Sequence, residues 1–197
     1  MPYVVLLGEP GMGKSIVLAQ EAGAEHSTPI KVRELIAFGA SKAQTLFLDA
    51  LDEYRMDGAP AHKAYELSRA IAQSGATRWR LTCRSEDWRK TADIAAIQST
   101  TEGQAITVAQ LLPLDDEEAE EILRSFGRQD AAAFVAKARA MGANAFIESP
   151  LSLLLLDKAV GPNGAWPSNR FWRSHYPRRA SATPLAFKRD RGAKCRE

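Results

Sequence analysis

The sequence predicts an α/β fold, with a parallel sheet between two layers of helices (three-layer αβα) and a small α-helical lid subdomain after it. Short apolar runs alternate with helical patterns from residue 3 to residue 111, which is typical of parallel sheets covered by helices. After Pro113 the helical patterns follow one another without a strand between them. The 197 residues are 45% hydrophobic and 25% charged, which suits a folded domain with a buried core.

The first part of the chain is predicted to run β-α-β-β-α-β-α-β. The predicted strands cover residues 3–7, part of 30–38, 45–49, 78–83 and 105–111, and the helices cover residues 15–24, 61–74 and 92–97. Residues 45–49 are apolar up to a final acid and are predicted to form a central strand buried on both faces. Residues 57–60 predict a turn. Tyr65, Ala70 and Ile71 are predicted to face the core from the next helix.

Three further helices are predicted over residues 117–126, 131–141 and 151–160. Asp115 or Asp116 is expected to cap the first of them, and Gly127 is expected to end it. These patterns divide the chain into a sheet domain (1–112), a helical lid subdomain (113–166) and a basic tail (167–197).

The tail differs in composition from the rest of the chain. Residues 167–197 contain nine Lys or Arg and two acidic residues, whereas the whole chain has a net charge of +2. We expect a solvated, disordered tail, because its pattern has no regular period. Two alternatives stay open. One is nucleic-acid binding through the basic and aromatic residues, which is the less favoured interpretation. The other is a frameshift near Pro167.

A glycine-rich motif separates the first predicted strand from the first helix. It consists of Gly8, Glu9, Pro10, Gly11, Met12, Gly13, Lys14 and Ser15. The spacing fits G-x-x-x-x-G-K-[ST], the P-loop whose backbone N–H groups cradle phosphates. Gly11 and Gly13 allow the backbone to approach a phosphate closely, and Lys14 is expected to reach the β and γ phosphates. The Ser15 hydroxyl is expected to bind Mg²⁺. The fold class is therefore that of a P-loop NTPase core.

Three acidic residues follow the central apolar strand. Asp49 ends residues 45–49, at the sheet edge where open α/β folds bind ligands, so we expect it to hold Mg²⁺ with Ser15. Asp52 and Glu53 follow shortly after, and one of them is expected to orient or deprotonate an attacking water. A solvated turn is the alternative for this pair.

Arg84 follows the strand predicted over residues 78–83 and is a candidate sensor of the γ-phosphate or of Mg²⁺-bound water. The alternative is a surface ion pair with Glu86 or Asp87. Trp88 is predicted to be a core or interface aromatic residue.

The cysteine content and the absence of targeting patterns indicate where the protein is located in the cell. The two cysteines, Cys83 and Cys195, have no metal-binding spacing, and Cys83 lies in an apolar strand, so we expect it in the core. A reducing, cytoplasmic location is expected. The N-terminus lacks the pattern of a signal peptide, and the apolar run at residues 151–156 is too short to span a membrane.

These motifs together resemble a NACHT-type ATPase of the STAND class, the signalling relatives of AAA+ proteins. The resemblance is carried by GEPGMGKS at residues 8–15, LFLDALDE at 46–53 and LTCR at 81–84. In the second motif a small residue follows the first Asp, and an Asp-Glu pair comes two positions later. Residues 149–151 resemble the family's lid segment, whose proline, here Pro150, lies near the adenine base.

The resemblance implies ATP and Mg²⁺ as ligands, ATP hydrolysis and a switch function, with self-association through the ATPase domain as a further possibility. It does not identify an effector or sensor partner. We expect ATP rather than GTP, because no segment resembles an Asn-Lys-x-Asp guanine loop. Members of the family have sequence before the first strand and a winged-helix domain after the lid. We therefore expect an ATPase core truncated at both ends. The alternatives are a small P-loop kinase and a non-hydrolysing or degraded nucleotide-binding fragment.

Overall fold

Five parallel strands form a single sheet in the computed structural model, which describes residues 1–40, 43–56, 60–161, 164 and 166. The strands are β1 (Tyr3–Leu7), β2 (Ile30–Lys31), β3 (Thr45–Asp49), β4 (Arg78–Cys83) and β5 (Thr107–Gln110). Their order across the sheet is β2-β3-β4-β1-β5, and every pair is parallel. The predicted α/β class with a parallel sheet is confirmed.

Nine helices lie in the described part of the chain. They are α1 (Lys14–Ala24), α2 (Val32–Phe38), α3 (Leu51–Arg55), α4 (Pro60–Ser74), α5 (Lys90–Ile97), α6 (Asp116–Ser125), α7 (Ala131–Ala140), α8 (Asn144–Ile147) and α9 (Pro150–Val160). None of these described helices combines the length and apolar character that crossing a membrane requires. The tail 167–197 and most of the turn expected at 57–60 lie outside the described residues.

The two faces of the sheet are covered by different helices. On one face, buried residues of α2, α4 and α5 pack with those of the strands around Trp79, whose ring centroid lies 5.5 Å from that of Tyr3. On the other face, Phe47 of β3 packs against Leu18 and Ala22 of α1. Side chains alternate across a strand, so β3 reaches both clusters and is buried as expected. The arrangement is compatible with three layers.

Helices α6 to α9 enclose a separate hydrophobic cluster, which contains Leu123, Phe134, Ile147 and Leu153 and shares no residue with the two clusters of the sheet. Helix α6 begins as expected, because the Asp115 carboxylate accepts a hydrogen bond from the Glu118 N–H at 2.9 Å. The three predicted helices are present, and α8 is an additional short one. The domain boundary at residue 113 stays a prediction.

The second strand expected within residues 30–38 is present but covers only two residues. Only Ile30–Lys31 pairs with β3, and Val32–Phe38 is helical. Val32 and Leu35 are buried at helical spacing, and the Glu34 carboxylate accepts a hydrogen bond from the Lys31 N–H. Burial on one side and this capping contact favour the helix.

The predicted core contacts of α4 are confirmed for Ile71, which is 1% exposed, and for Ala70, which packs against the cluster. The prediction is wrong for Tyr65, which is 61% exposed. Leu67 and Ile71 lie one turn apart on the buried face, and the helical period of 3.6 residues places Tyr65 away from it.

The order of the strands determines where the candidate site residues meet. Strands β3, β4 and β1 are neighbours and run in the same direction, so their carboxyl ends lie at one edge. The chain leaves this edge at Gly8, Ala50 and Arg84, the residues that follow the three strands.

Candidate functional site

The glycine-rich motif forms the connection between β1 and α1. Gly11 and Gly13 have φ angles of 81° and 89°, in the left-handed region that glycine occupies without strain. The N–H groups of Ile16 and Val17 both donate to the Gly13 carbonyl, which begins α1. Within the described chain, the N–H groups of Gly13, Lys14 and Ser15 donate to no backbone carbonyl. These donors at a helix N-terminus can receive an anion.

The Lys14 side chain lies back over this loop. Its Nζ donates to the Gly8 carbonyl at 2.7 Å and to the Glu9 carbonyl at 3.1 Å. An ammonium group has three donors, so one is left for another acceptor. A phosphate oxygen would be a stronger acceptor than a neutral carbonyl because both partners would then be charged.

Ser15 and Asp49 come together although they are far apart in sequence. The Ser15 hydroxyl, in the first turn of α1, donates to Oδ1 of Asp49 at 3.1 Å. A hydroxyl and a carboxylate are oxygen ligands of the kind that Mg²⁺ prefers, and Mg²⁺ takes few protein ligands when it also binds phosphates and water. The described residues contain no cluster of three or more His, Cys, Asp or Glu that could hold a metal alone. The pair therefore fits Mg²⁺ bound together with a phosphate.

A tight corner connects β3 to α3. Ala50 has φ 62° and ψ 59°, a left-handed conformation that is unusual for a residue other than glycine. Its N–H donates to Oγ1 of Thr82 at 2.9 Å. This backbone conformation explains why a small residue follows Asp49, because a bulkier side chain would be more strained in the left-handed region.

Asp52 and Glu53 lie on α3 with different surroundings. Asp52 is only 7% exposed, which excludes the solvated turn for it, and its Oδ2 lies 2.7 Å from Nε of Arg84. The ion-pair partner of Arg84 is therefore Asp52, and not Glu86 or Asp87. Glu53 forms a half-exposed pair with Lys31, with an Oε2–Nζ distance of 3.2 Å.

A second, fully buried ion pair supports this corner. The Arg55 guanidinium binds both carboxylate oxygens of Asp93, at 2.8 and 2.6 Å, and donates to the Asp87 carbonyl at 2.9 Å. These bonds tie α3 to α5 through Asp93 and to the segment between β4 and α5 through Asp87. A cavity of about 340 Å³ lies beside them, lined by Asp52, Arg55, Met56, Arg84, Glu86, Asp87 and Arg89.

Helix α9, in the part of the chain predicted to be a lid, touches the glycine-rich loop at its first turn. The Gly11 carbonyl accepts hydrogen bonds from the Ser149 hydroxyl and from the Leu151 N–H, each at 3.2 Å. Pro150 is the first residue of α9, and its Cγ would lie 3.9 Å from a Cβ added at Gly13. Pro150 is therefore beside the P-loop.

Cys83 and Trp88 are structural residues. Both are buried, at 0% and 6% exposure, as expected. Burial raises the pKa of the Cys83 thiol from 9.0 to about 12, and the negative charge of Asp52 adds to the effect. A thiol that holds its proton so tightly is a poor nucleophile and a poor metal ligand.

Sequence patterns did not assign a role to Thr82 or to Ser149. Thr82 is a polar residue near the carboxyl end of β4, and that position at the site's edge of the sheet was the available signal. Ser149 stands before the proline that starts α9, a position typical of an N-cap, yet its hydroxyl bonds to the P-loop instead of its own helix.

Comparison with known proteins gives no assignment, because the chain matches neither a protein-family model nor a curated protein. The function must be inferred from the geometry of the site. Its main features are the P-loop under Lys14, the Ser15–Asp49 hydrogen bond and the Asp52–Arg84 ion pair.

Proposed function

We propose that this chain binds Mg²⁺-ATP at the P-loop, hydrolyses it, and is the core of a NACHT-type signalling switch of the STAND class. The 3.1 Å hydrogen bond between Ser15 and Asp49 carries the proposal. Ser15 and Asp49 lie 34 positions apart in sequence and meet through this bond, and P-loop NTPases hold Mg²⁺ with a Ser or Thr of this loop and an Asp at the end of a strand.

Nucleotide binding uses groups that are available at the sheet edge. The N–H groups at the start of α1 would donate to phosphate oxygens, and so would the third donor of the Lys14 ammonium group. The Ser15 oxygen and the Asp49 carboxylate would hold Mg²⁺. Bound Mg²⁺ would neutralise phosphate charge as the terminal phosphoryl group leaves.

Hydrolysis needs a group that accepts a proton from the attacking water. Asp52 is buried and its charge is neutralised by Arg84. Among the residues that the structure describes, Glu53 is held only by Lys31, and both side chains of that pair are about two-fifths exposed. Ion pairs between exposed side chains contribute little free energy and separate readily. We therefore assign the proton acceptor to Glu53, and we assign to Asp52 the task of holding Arg84.

The switch function would act through the lid. The start of α9 contacts the P-loop at Gly11, so a change in the conformation of the P-loop on nucleotide binding would change the contacts that hold the lid. Beyond this contact, the signalling role rests on the resemblance of residues 8–15, 46–53 and 81–84 to the family's motifs.

Phosphate release from Mg²⁺-ATP tests hydrolysis and the assignment of Glu53. Wild-type chain should release phosphate only with Mg²⁺ present. Glu53→Gln should lower the rate about a hundredfold or more, as loss of a general base does, while ATP affinity stays within about threefold, a difference below 1 kcal/mol. The matched control is Glu121→Gln, which changes an exposed acid on α6. A Glu53→Gln chain with the wild-type rate would remove Glu53 from this role.

One observation favours a second function, nucleotide binding without hydrolysis. Both candidate acids of α3 are already ion-paired, Asp52 with Arg84 and Glu53 with Lys31. A wild-type chain that binds Mg²⁺-ATP tightly and releases no phosphate would support this non-hydrolysing alternative over the ATPase.

A further inference from the structure

Thr82 is a fully buried residue of β4 whose hydroxyl makes two hydrogen bonds at the candidate site. It donates to Oδ1 of Asp49 at 2.6 Å and accepts from the Ala50 N–H at 2.9 Å. Both bonds go to the end of the neighbouring strand β3. A hydroxyl has one donor, and here that donor goes to the proposed metal ligand.

The bond to Asp49 fixes how this carboxylate is rotated. Its Oδ1 accepts from two hydroxyls, those of Ser15 and Thr82, which come from different elements. No described residue donates to Oδ2. Two donors on Oδ1 fix the rotation of the carboxylate and leave Oδ2 without a donor among the described residues, so the carboxylate could hold Mg²⁺ in a fixed orientation.

The bond to Ala50 stabilises an unfavourable backbone conformation. A left-handed residue other than glycine costs roughly 1–2 kcal/mol, and such residues persist when surrounding contacts hold them. The Ala50 N–H follows Asp49 directly and finds its acceptor in Thr82. One hydroxyl thus holds both the side chain of Asp49 and the backbone that leaves it.

We propose that Thr82 is a positioning residue of the Mg²⁺ site, acting through Asp49 and not through the nucleotide. The proposal rests on the proposed function. The proposal gives Thr82 a role different from that of Lys14, which binds the nucleotide itself. Loss of Thr82 should change how much Mg²⁺ raises the affinity for nucleotide and should leave the metal-free affinity unchanged.

The test compares ATP affinity in Mg²⁺ with that in EDTA, by calorimetry on the 197-residue chain. Thr82→Val keeps the shape and removes the hydroxyl, whereas Thr82→Ser keeps the hydroxyl. We expect Thr82→Val to reduce the gain in affinity from Mg²⁺ about tenfold, the lower end for loss of a partner that orients a metal ligand. Thr82→Ser should keep most of the gain in affinity from Mg²⁺, and neither substitution should change the affinity for ATP in EDTA.

Thr101→Val is the matched control, because Thr101 is also fully buried and its hydroxyl donates within a turn of residues 98–104, away from the P-loop. It should lower stability and leave the gain from Mg²⁺ intact. If Thr82→Val keeps the wild-type gain in affinity from Mg²⁺, Thr82 is not a positioning residue. The same conclusion follows if Thr82→Val and Thr101→Val lose this gain equally.

Hydrogen exchange at the Ala50 amide gives a readout that does not need nucleotide. Protection should fall in Thr82→Val and persist in Thr82→Ser and Thr101→Val. Unchanged protection of the Ala50 amide in Thr82→Val would contradict the role of the Thr82 hydroxyl in holding the backbone after Asp49. A wild-type chain without Mg²⁺-ATP affinity would overturn the proposed function and this proposal with it, whereas normal wild-type binding with an unaltered Thr82→Val would overturn this proposal alone.

Discussion

Asp52 and Arg84 form an ion pair in which Nε of Arg84 lies 2.7 Å from Oδ2 of Asp52. The pair joins α3 to the residue that follows β4, and both side chains line the cavity of about 340 Å³. Asp52 is buried, whereas the Arg84 side chain is 38% exposed. Arg84 therefore reaches solvent at the sheet edge while its charge is held by a fixed carboxylate.

The Asp52–Arg84 pair should contribute measurably to stability. A double-mutant cycle of Asp52→Ala and Arg84→Ala, followed by urea unfolding, should give a coupling free energy of about 1 kcal/mol, since partial exposure of Arg84 weakens the attraction. The Lys31–Glu53 pair is the matched control, with both side chains about two-fifths exposed. Its coupling should be near zero, and equal couplings for the two pairs would contradict the account.

Gly11→Ala should disturb the contact between the P-loop and the lid. Gly11 has φ +81°, and an added Cβ would lie 3.1 Å from Cβ of Leu151. Gly127→Ala is the control, because Gly127 has φ +93° and an added Cβ would meet nothing within 4 Å. Both variants should lose roughly 1–2 kcal/mol of stability from backbone strain.

Only Gly11→Ala should also expose the Leu151 amide, which donates to the Gly11 carbonyl. Amide hydrogen exchange measures this difference. A Leu151 amide that stays equally protected in both variants would mean that the lid does not depend on Gly11.

The Cys83 thiol should make stability fall at high pH. Its pKa in the folded chain is raised to about 12 by burial, from an ordinary value of 9.0. The folded state thus holds the proton more tightly, so this contribution is fully present below pH 9 and is lost as the pH rises from 9 to 12.

The measurement is urea unfolding of wild type and Cys83→Ala between pH 7 and pH 11. The difference in unfolding free energy between the two chains should fall by up to about 1.4 kcal/mol per pH unit above pH 9. Other groups titrate in this range in both chains and cancel in the difference. A difference that is constant with pH would show that the thiol is not the cause.

The elements that sequence patterns predicted best are those with strong local signals. Thr45–Asp49 and Arg78–Cys83 have the predicted bounds. The first is an apolar run that ends in an acid, and the second is buried at Trp79 and from Leu81 to Cys83. Within residues 30–38 only Ile30–Lys31 is a strand, because polar residues interrupt the apolar ones and burial of Val32 and Leu35 at helical spacing favours a helix for the rest.

The candidate site was predictable only where a motif has fixed spacing. The P-loop and Asp49 follow from such motifs. Thr82 lies 33 positions from Asp49, and Ser149 lies 138 positions from Gly11. Contacts over such distances depend on strand order and lid packing, which no local pattern of residues encodes.

Mg²⁺-ATP binding by the 197-residue chain, measured by calorimetry with Lys14→Ala and Lys90→Ala, tests the central claim most directly. Lys14 lies over the P-loop, whereas Lys90 is an exposed lysine at the start of α5. Wild type and Lys90→Ala should bind alike, and Lys14→Ala should bind at least about tenfold more weakly, since a hydrogen bond between charged groups is worth 1.5 kcal/mol or more. Equal affinity of Lys14→Ala and wild type, or no binding by a folded wild-type chain, would contradict the claim.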